Sequence, residues 1–150
     1  MVRKIVSGGQ TGADRGGLVA GQCLGLETGG TAPPNFMTEL GTCLKLRDTF
    51  GLVEGEYDQK VYPKRTRKNV EDSDGTLLMG NVNSPGSRLT LRYCNELSKP
   101  YIENPSPFVL RLWLKNHSIE VLNVAGNRES KTPGIEEATS VLLLSSLGGP

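Results

Sequence analysis

Short apolar runs alternate with helical stretches along this chain, and each run gives way at once to a cluster of Gly, Pro, Asn or Ser. Lys4-Ile5-Val6 leads into Ser7-Gly8-Gly9-Gln10-Thr11-Gly12, after which Leu18, Val19, Cys23 and Leu24 recur at helical spacing until Gly25. That order predicts strand, glycine loop, helix. Leu26-Glu27-Thr28, Thr76-Leu77-Leu78-Met79, Pro100-Tyr101-Ile102 and Ile119-Glu120-Val121-Leu122-Asn123-Val124 read as four more strands, each ending in a polar or glycine-rich loop. Helices are predicted from about Pro85 to Leu97, from Pro107 to Lys115 and after Pro133, the prolines standing where a first helical turn tolerates them. Strands alternating with helices predict an α/β fold, a Rossmann-like open parallel sheet of about five strands with helices on both faces. In such sheets ligands bind beyond the carboxyl ends of the strands, so the loops predict one composite pocket. Residues 41–60 follow no clear period; Phe50-Gly51-Leu52-Val53 reads as an extra strand or a covering loop.

The length of 150 residues suits one domain, 1–150, without repeat, low-complexity tract or linker. Nineteen glycines without collagen-like period place the excess in turns. Seventeen basic against 16 acidic residues leave a net charge of +1, which argues against a dedicated nucleic-acid or membrane-surface protein. The chain has no apolar stretch of the roughly 18 residues a membrane span needs, and Met1 runs straight into a strand pattern without a signal sequence. The three cysteines, Cys23, Cys43 and Cys94, are odd in number and form no C-x-x-C pair, which points to reduced thiols and a cytoplasmic protein. His117 is the single histidine, in a polar turn, so no multi-histidine metal site is available and no metal is expected.

Ser7 to Gly12 joins a strand to a helix, where glycines let backbone approach a ligand and helix N–H groups favour an anion. It has neither the P-loop pattern nor the dinucleotide fingerprint, so nucleoside-triphosphate hydrolysis and nicotinamide chemistry lose support. Lys60 to Lys68 holds five cations in nine positions. At helical spacing they point in different directions, Lys64 with Lys68 and Arg65 with Asn69, and the one nearby aromatic, Tyr62, makes no base-stacking platform. A solvated face explains them better than nucleic-acid binding. Asp14, Asp72, Asp74 and Glu129 are candidate Mg²⁺ ligands or general bases, but helix capping accounts for them more simply. Trp113 reads as core or interface, and Val141-Leu142-Leu143-Leu144 with Leu147 is apolar almost all round, which suggests burial between subunits of a homo-oligomer, dimer or tetramer.

Ser7-Gly8-Gly9-Gln10-Thr11-Gly12-Ala13-Asp14-Arg15-Gly16 resembles the opening motif of the putative molybdenum cofactor carrier family, part of the Rossmann-like SLOG superfamily. Arg65-Thr66 with Asn69-Val70 and Asp72 to Leu77 resembles the family's central motif, and Asn123 to Ile135 its C-terminal one. Gly29-Gly30, Pro33 or Pro34, Glu39 and Gly51-Leu52 are weaker matches between them.

The resemblance implies a phosphate pocket of nucleotide or pterin type at the strand ends. Ser7, Gly8, Gly9, Gln10, Thr11, Asp14 and Arg15 would form one side of it, with Pro85, Gly86, Ser87 and Arg88 on the other. Arg65 and Arg128 would neutralise charge, while Asn69 and Asn123 read polar edges. The superfamily's phosphoribohydrolases carry P-G-G-x-G-T-x-x-E, and the corresponding stretch here, Pro85 to Tyr93, has Tyr93 at the acid position. That departure favours non-catalytic binding of a phosphorylated small molecule, such as an ADP-ribose-type or cyclic nucleotide signal or molybdenum cofactor, with no cofactor required for chemistry. The alternative is a nucleoside-phosphate hydrolase that uses Asp14, Glu39 or Asp74 in place of the missing acid.

Overall fold

The structure is a computed structural model that describes residues 1–56 and 61–148, and the backbone alone for residues 61–63. A five-stranded parallel sheet forms its centre, built from β1 (Lys4–Val6), β2 (Glu27–Gly29), β7 (Gly75–Met79), β8 (Tyr101–Glu103) and β9 (Val121–Gly126) in the order β2-β1-β9-β7-β8. The expected Rossmann-like sheet is present, with helices on both faces. The last strand enters the middle: Val6 pairs with Asn123, and Asn123 pairs on its other side with Thr76. The loops that follow β1, β9 and β7 therefore emerge side by side.

Helices α1 (Ala13–Cys23), α5 (Pro107–Asn116) and α6 (Ile135–Leu147) bury Ala13, Ala20, Leu110, Leu114, Ile135, Leu142 and Leu143 with Ile5, Leu77, Leu122 and Val124 of the sheet. Full burial of each Leu, Ile or Val among them stabilises the fold by about 1.5–3 kcal/mol. Helices α3 (Val61–Glu71) and α4 (Pro85–Glu96) pack against each other, with α4 also on β7 and β9. Serine caps both Pro-marked helix starts: Ser84 Oγ accepts from Ser87 N at 3.3 Å, and Ser106 Oγ accepts from Val109 N at 3.3 Å. Gly25 ends α1, with Leu26 N donating to Gly21 O.

Residues 31–54 build a small layer of their own. β3 (Thr31–Ala32) pairs with β6 (Val53–Glu54), and β4 (Met37–Thr38) with β5 (Gly41–Thr42), the latter two flanked by a 3₁₀ turn at Pro34–Phe36 and the short α2 (Lys45–Asp48). Phe36, Leu46, Phe50 and Leu52 enclose Ala32 and Leu18 of α1 in a second core. The extra strand expected at Phe50–Val53 thus proves to be two residues, Val53–Glu54, preceded by core residues. Tyr57 to Lys60, including the first cation of the basic segment, lie outside the described residues.

Candidate functional site

A cavity of about 390 Å³ opens at the carboxyl edge of the sheet, a size that suits a small ligand. Gly8, Gln10 and Asp14 line it from the β1 loop, Arg65, Thr66 and Asn69 from α3, Pro85 to Thr90 without Arg88 from α4, and Asn123, Ala125, Gly126 and Arg128 from β9 and its loop. Ten of the fifteen residues expected in a pocket are therefore together: Gly8, Gln10, Asp14, Arg65, Asn69, Pro85, Gly86, Ser87, Asn123 and Arg128.

The other five are elsewhere, each for a visible reason. Ser7 is buried behind the loop, its hydroxyl donating to Asp14 O at 3.2 Å. Gly9 faces Leu46 and Leu52 of the second core. Thr11 Oγ1 donates to the Glu39 carboxylate, while Arg15 lies over the Phe50 ring and reaches Cys43 Sγ at 3.2 Å. Arg88 projects from the outer face of α4 into a shallow groove with Asn83, Arg92 and Glu96. Thr66, Leu89, Thr90, Ala125 and Gly126 line the cavity although the motifs did not single them out for it. Helical spacing from Pro85 marks Leu89, and strand alternation from Asn123 marks Ala125.

The two loop-to-helix entrances differ in what they offer. At α1 four donors are occupied, Gly9 N by Ser7 Oγ, Gln10 N by Asp14 Oδ2, Thr11 N by Gln10 Oε1 and Ala13 N by Asn127 O, while Gly8 N, Gly12 N and Asp14 N have no acceptor among the described residues. A carboxylate and a carbonyl stand where an anion would sit. At α4, Pro85 has no N–H and Ser87 N is held by Ser84, which leaves Gly86 N with no acceptor among the described residues. Ser87 is 3% exposed, and its Oγ has no partner. A buried hydroxyl without a partner costs about 1–3 kcal/mol unless something enters to meet it.

Asp14 is 8% exposed, and burial pushes its carboxyl up from 3.8 to about 6, with the Arg65 guanidinium and the Gln10 N–H acting in the opposite direction. Arg65 and Asp14 meet over Gly8, where a side chain would collide with Arg65 Nη1 and stand 3.2 Å from Asp14 Oδ2. Asn69 spends its amide on the backbone of Thr31, accepting from Thr31 N at 2.8 Å and donating to Thr31 O at 3.0 Å, so it fastens β3 to α3 beside the cavity. Arg128 is exposed at the rim, and its guanidinium makes no hydrogen bond or ion pair among the described residues.

Other acids serve elsewhere. Glu129 caps α6 as expected, accepting from Gly134 N at 2.7 Å and Glu136 N at 3.0 Å, and these bonds hold its carboxyl below the usual range. Asp74 Oδ2 accepts from Glu120 N and Val121 N, at the start of β9 and far along the strand from the cavity. Glu39 accepts from the Thr11 and Ser130 hydroxyls, which tie the β4–β5 hairpin to two site loops and lower its carboxyl. Tyr93 leaves the cavity altogether, its ring packed under the Arg67 guanidinium, 5.8 Å from the ring centre. Two cations of the basic segment are paired with carboxylates, Arg67 with Glu71 and Glu96, Lys68 with Asp72. Among the described residues no three His, Cys, Asp or Glu side chains converge on a metal position, and no helix is long and apolar enough to cross a membrane.

Comparison with known proteins agrees with this geometry. A putative molybdenum carrier protein from Syntrophus aciditrophicus SB, solved by crystallography at 1.45 Å, superposes with a TM-score of 0.87 at 36% identity, over 98% of this chain and 96% of that one. Among curated proteins none matches. Residues 5–147 match the profile of the circularly permutated YpsA SLOG family, nearly the whole chain including both glycine loops and the β9 motif, and the chain belongs to that family.

Proposed function

We propose that the cavity binds a phosphorylated, nucleotide- or pterin-derived small molecule and holds it without altering it. The observation that carries this reading is the open entrance of α4, where the Gly86 N–H and the buried Ser87 hydroxyl both lack partners at the cavity wall. A helix N-terminus with free donors attracts an anion, and Arg128 at the rim adds charge. The similarity to a molybdenum carrier supports molybdenum cofactor as cargo, alongside ADP-ribose-type and cyclic nucleotide signals.

Retention rather than cleavage is supported by the position of Tyr93, which replaces the acid of the superfamily's hydrolases and packs under Arg67 outside the cavity. Hydrolysis is the second reading, and it now rests on Asp14 alone. Of its three candidate acids, only Asp14 lines the cavity, and a carboxyl raised to about 6 suits proton transfer near neutral pH. The reading extends to a cytoplasmic homo-oligomer, dimer or tetramer, supported by the exposed Phe108 and Leu112 of α5 and Val141 and Leu144 of α6.

Native mass spectrometry against AMP, ADP-ribose, cyclic ADP-ribose isomers, cyclic dinucleotides and molybdopterin tests ligand and assembly together. A ligand recovered at unchanged mass supports retention. Recovery of base and ribose phosphate would replace it with hydrolysis, and no adduct with any of them would remove the ligand class.

A further inference from the structure

The wall opposite α4 has the reverse polarity, and one buried threonine sets it. Asn123 of β9 stands in register with Thr76 of β7, and its Nδ2 donates to Thr76 Oγ1 at 3.2 Å. An amide that presents its NH₂ group to this hydroxyl cannot present its oxygen there, so the donors of Asn123 face Thr76. The carbonyl oxygen Oδ1 must then point the other way, and no described residue donates to it although Asn123 is 3% exposed and lines the cavity. Asp14 repeats the pattern. Its Oδ2 accepts from Gln10 N at 3.1 Å, while its second oxygen receives no hydrogen bond from any described residue. One end of the cavity thus offers donors, and the other offers two acceptors.

Building on the phosphate reading above, we infer that the cavity selects a phosphorylated ligand carrying two neighbouring hydrogen-bond donors, which meet Asn123 Oδ1 and Asp14, and that Thr76 is the positioning residue for this selection. Two ligand sources carry such an edge: the vicinal diol of a ribose and the amino–imide edge of a pterin. A site built around buried acceptors discriminates strongly against a ligand that lacks the donor, because the acceptor is then left unpaired.

Calorimetric titration with two series of probes tests this. AMP is compared with its 2′-fluoro-2′-deoxy and 3′-fluoro-3′-deoxy analogues, in which fluorine keeps the size and removes the donor. 6-Hydroxymethylpterin phosphate is compared with its lumazine counterpart, which has oxygen in place of the amino group. The expected result is that one parent binds and its analogues bind at least tenfold more weakly, the responding series identifying the source. In Thr76→Val, nearly the same size but without the hydroxyl, the amide is free to turn and the ratio falls toward one while the parent still binds. Thr76→Ser restores the ratio, which a merely structural role for Thr76 would not require. A parent that binds no better than its analogues overturns the inference and leaves the phosphate reading standing. If neither parent binds, both fall together.

Discussion

Two helix entrances face each other across the cavity, and they differ in what already stands against their donors. Both follow a strand of the central sheet, and both carry the glycine and serine that mark an anion loop in sequence. At α1 the N–H groups of Gly9, Gln10, Thr11 and Ala13 are consumed by Ser7, Asp14, Gln10 and the Asn127 carbonyl, so a carboxylate and a carbonyl already stand at the helix start. At α4 the Gly86 N–H and the Ser87 hydroxyl are open. A helix N-terminus is an anion site only where its donors have no nearer acceptor. In the α1 loop the Asp14 carboxylate and the Asn127 carbonyl are such nearer acceptors, and the first of them lines the cavity.

The contrast is sharpest in the glycines. Gly12 has φ +85°, and a side chain there would strike the Asn127 carbonyl and the backbone at Glu129. Gly12→Ala is expected to cost about 3–4 kcal/mol and to appear as a large drop in urea midpoint. Asp14→Asn comes next and has the opposite sign at neutral pH. The folded carboxyl titrates near 6 against 3.8 in an unfolded chain, so its contribution to stability is fully present below 3.8 and is lost as pH rises through 6. Asparagine keeps an acceptor for Gln10 N–H and removes the buried charge. Urea unfolding at pH 7.5 should show the variant more stable by up to about 3 kcal/mol, with the gain gone near pH 3.5.

At α4 the changes should be small for the fold and large for the ligand. A side chain at Gly86 would meet nothing within 4 Å, so Gly86→Ala is expected to stabilise α4 by about 0.5 kcal/mol while it crowds the anion position and weakens ligand binding. Ser87→Ala removes a buried hydroxyl that has no partner, so thermal unfolding of the ligand-free protein should show the variant more stable by about 1 kcal/mol. Its ligand affinity should fall about tenfold, the worth of one hydrogen bond to a charged group. Glu39→Gln sets a lower limit to the scale: its exposed carboxylate ties the hairpin to Thr11 and Ser130, and loss of the acid sensitivity it confers should be visible only as a shallower stability decline on acidification.

The sheet was legible because its strands are apolar runs ended by glycine or asparagine, and the three Pro-marked helices start within two residues of their expected positions. The cavity was legible at Arg65, Ser87 and Asn123 because the stretches that resemble the family's motifs contain them. Arg15 and Arg88 were not, because a cation next to a glycine loop looks the same whether it turns inward or, as here, lies on Phe50 or the outer face of α4. Nor were the pairs of residues 31–54, where two-residue strands are too short for any period and Leu46, Phe50 and Leu52 are ordered by a core shared with Leu18. The hydrogen bonds that close the α1 loop are side-chain choices that spacing does not encode.

The most direct measurement is amide chemical-shift mapping while inorganic phosphate is titrated into the protein, with chloride at matched ionic strength as control. Gly86 and Ser87 should move most and in a saturable way, with Gly9, Gln10 and Thr11 nearly unchanged. Saturable shifts at Gly9 to Thr11 that exceed those at Gly86 and Ser87 would contradict the assignment of the anion to α4.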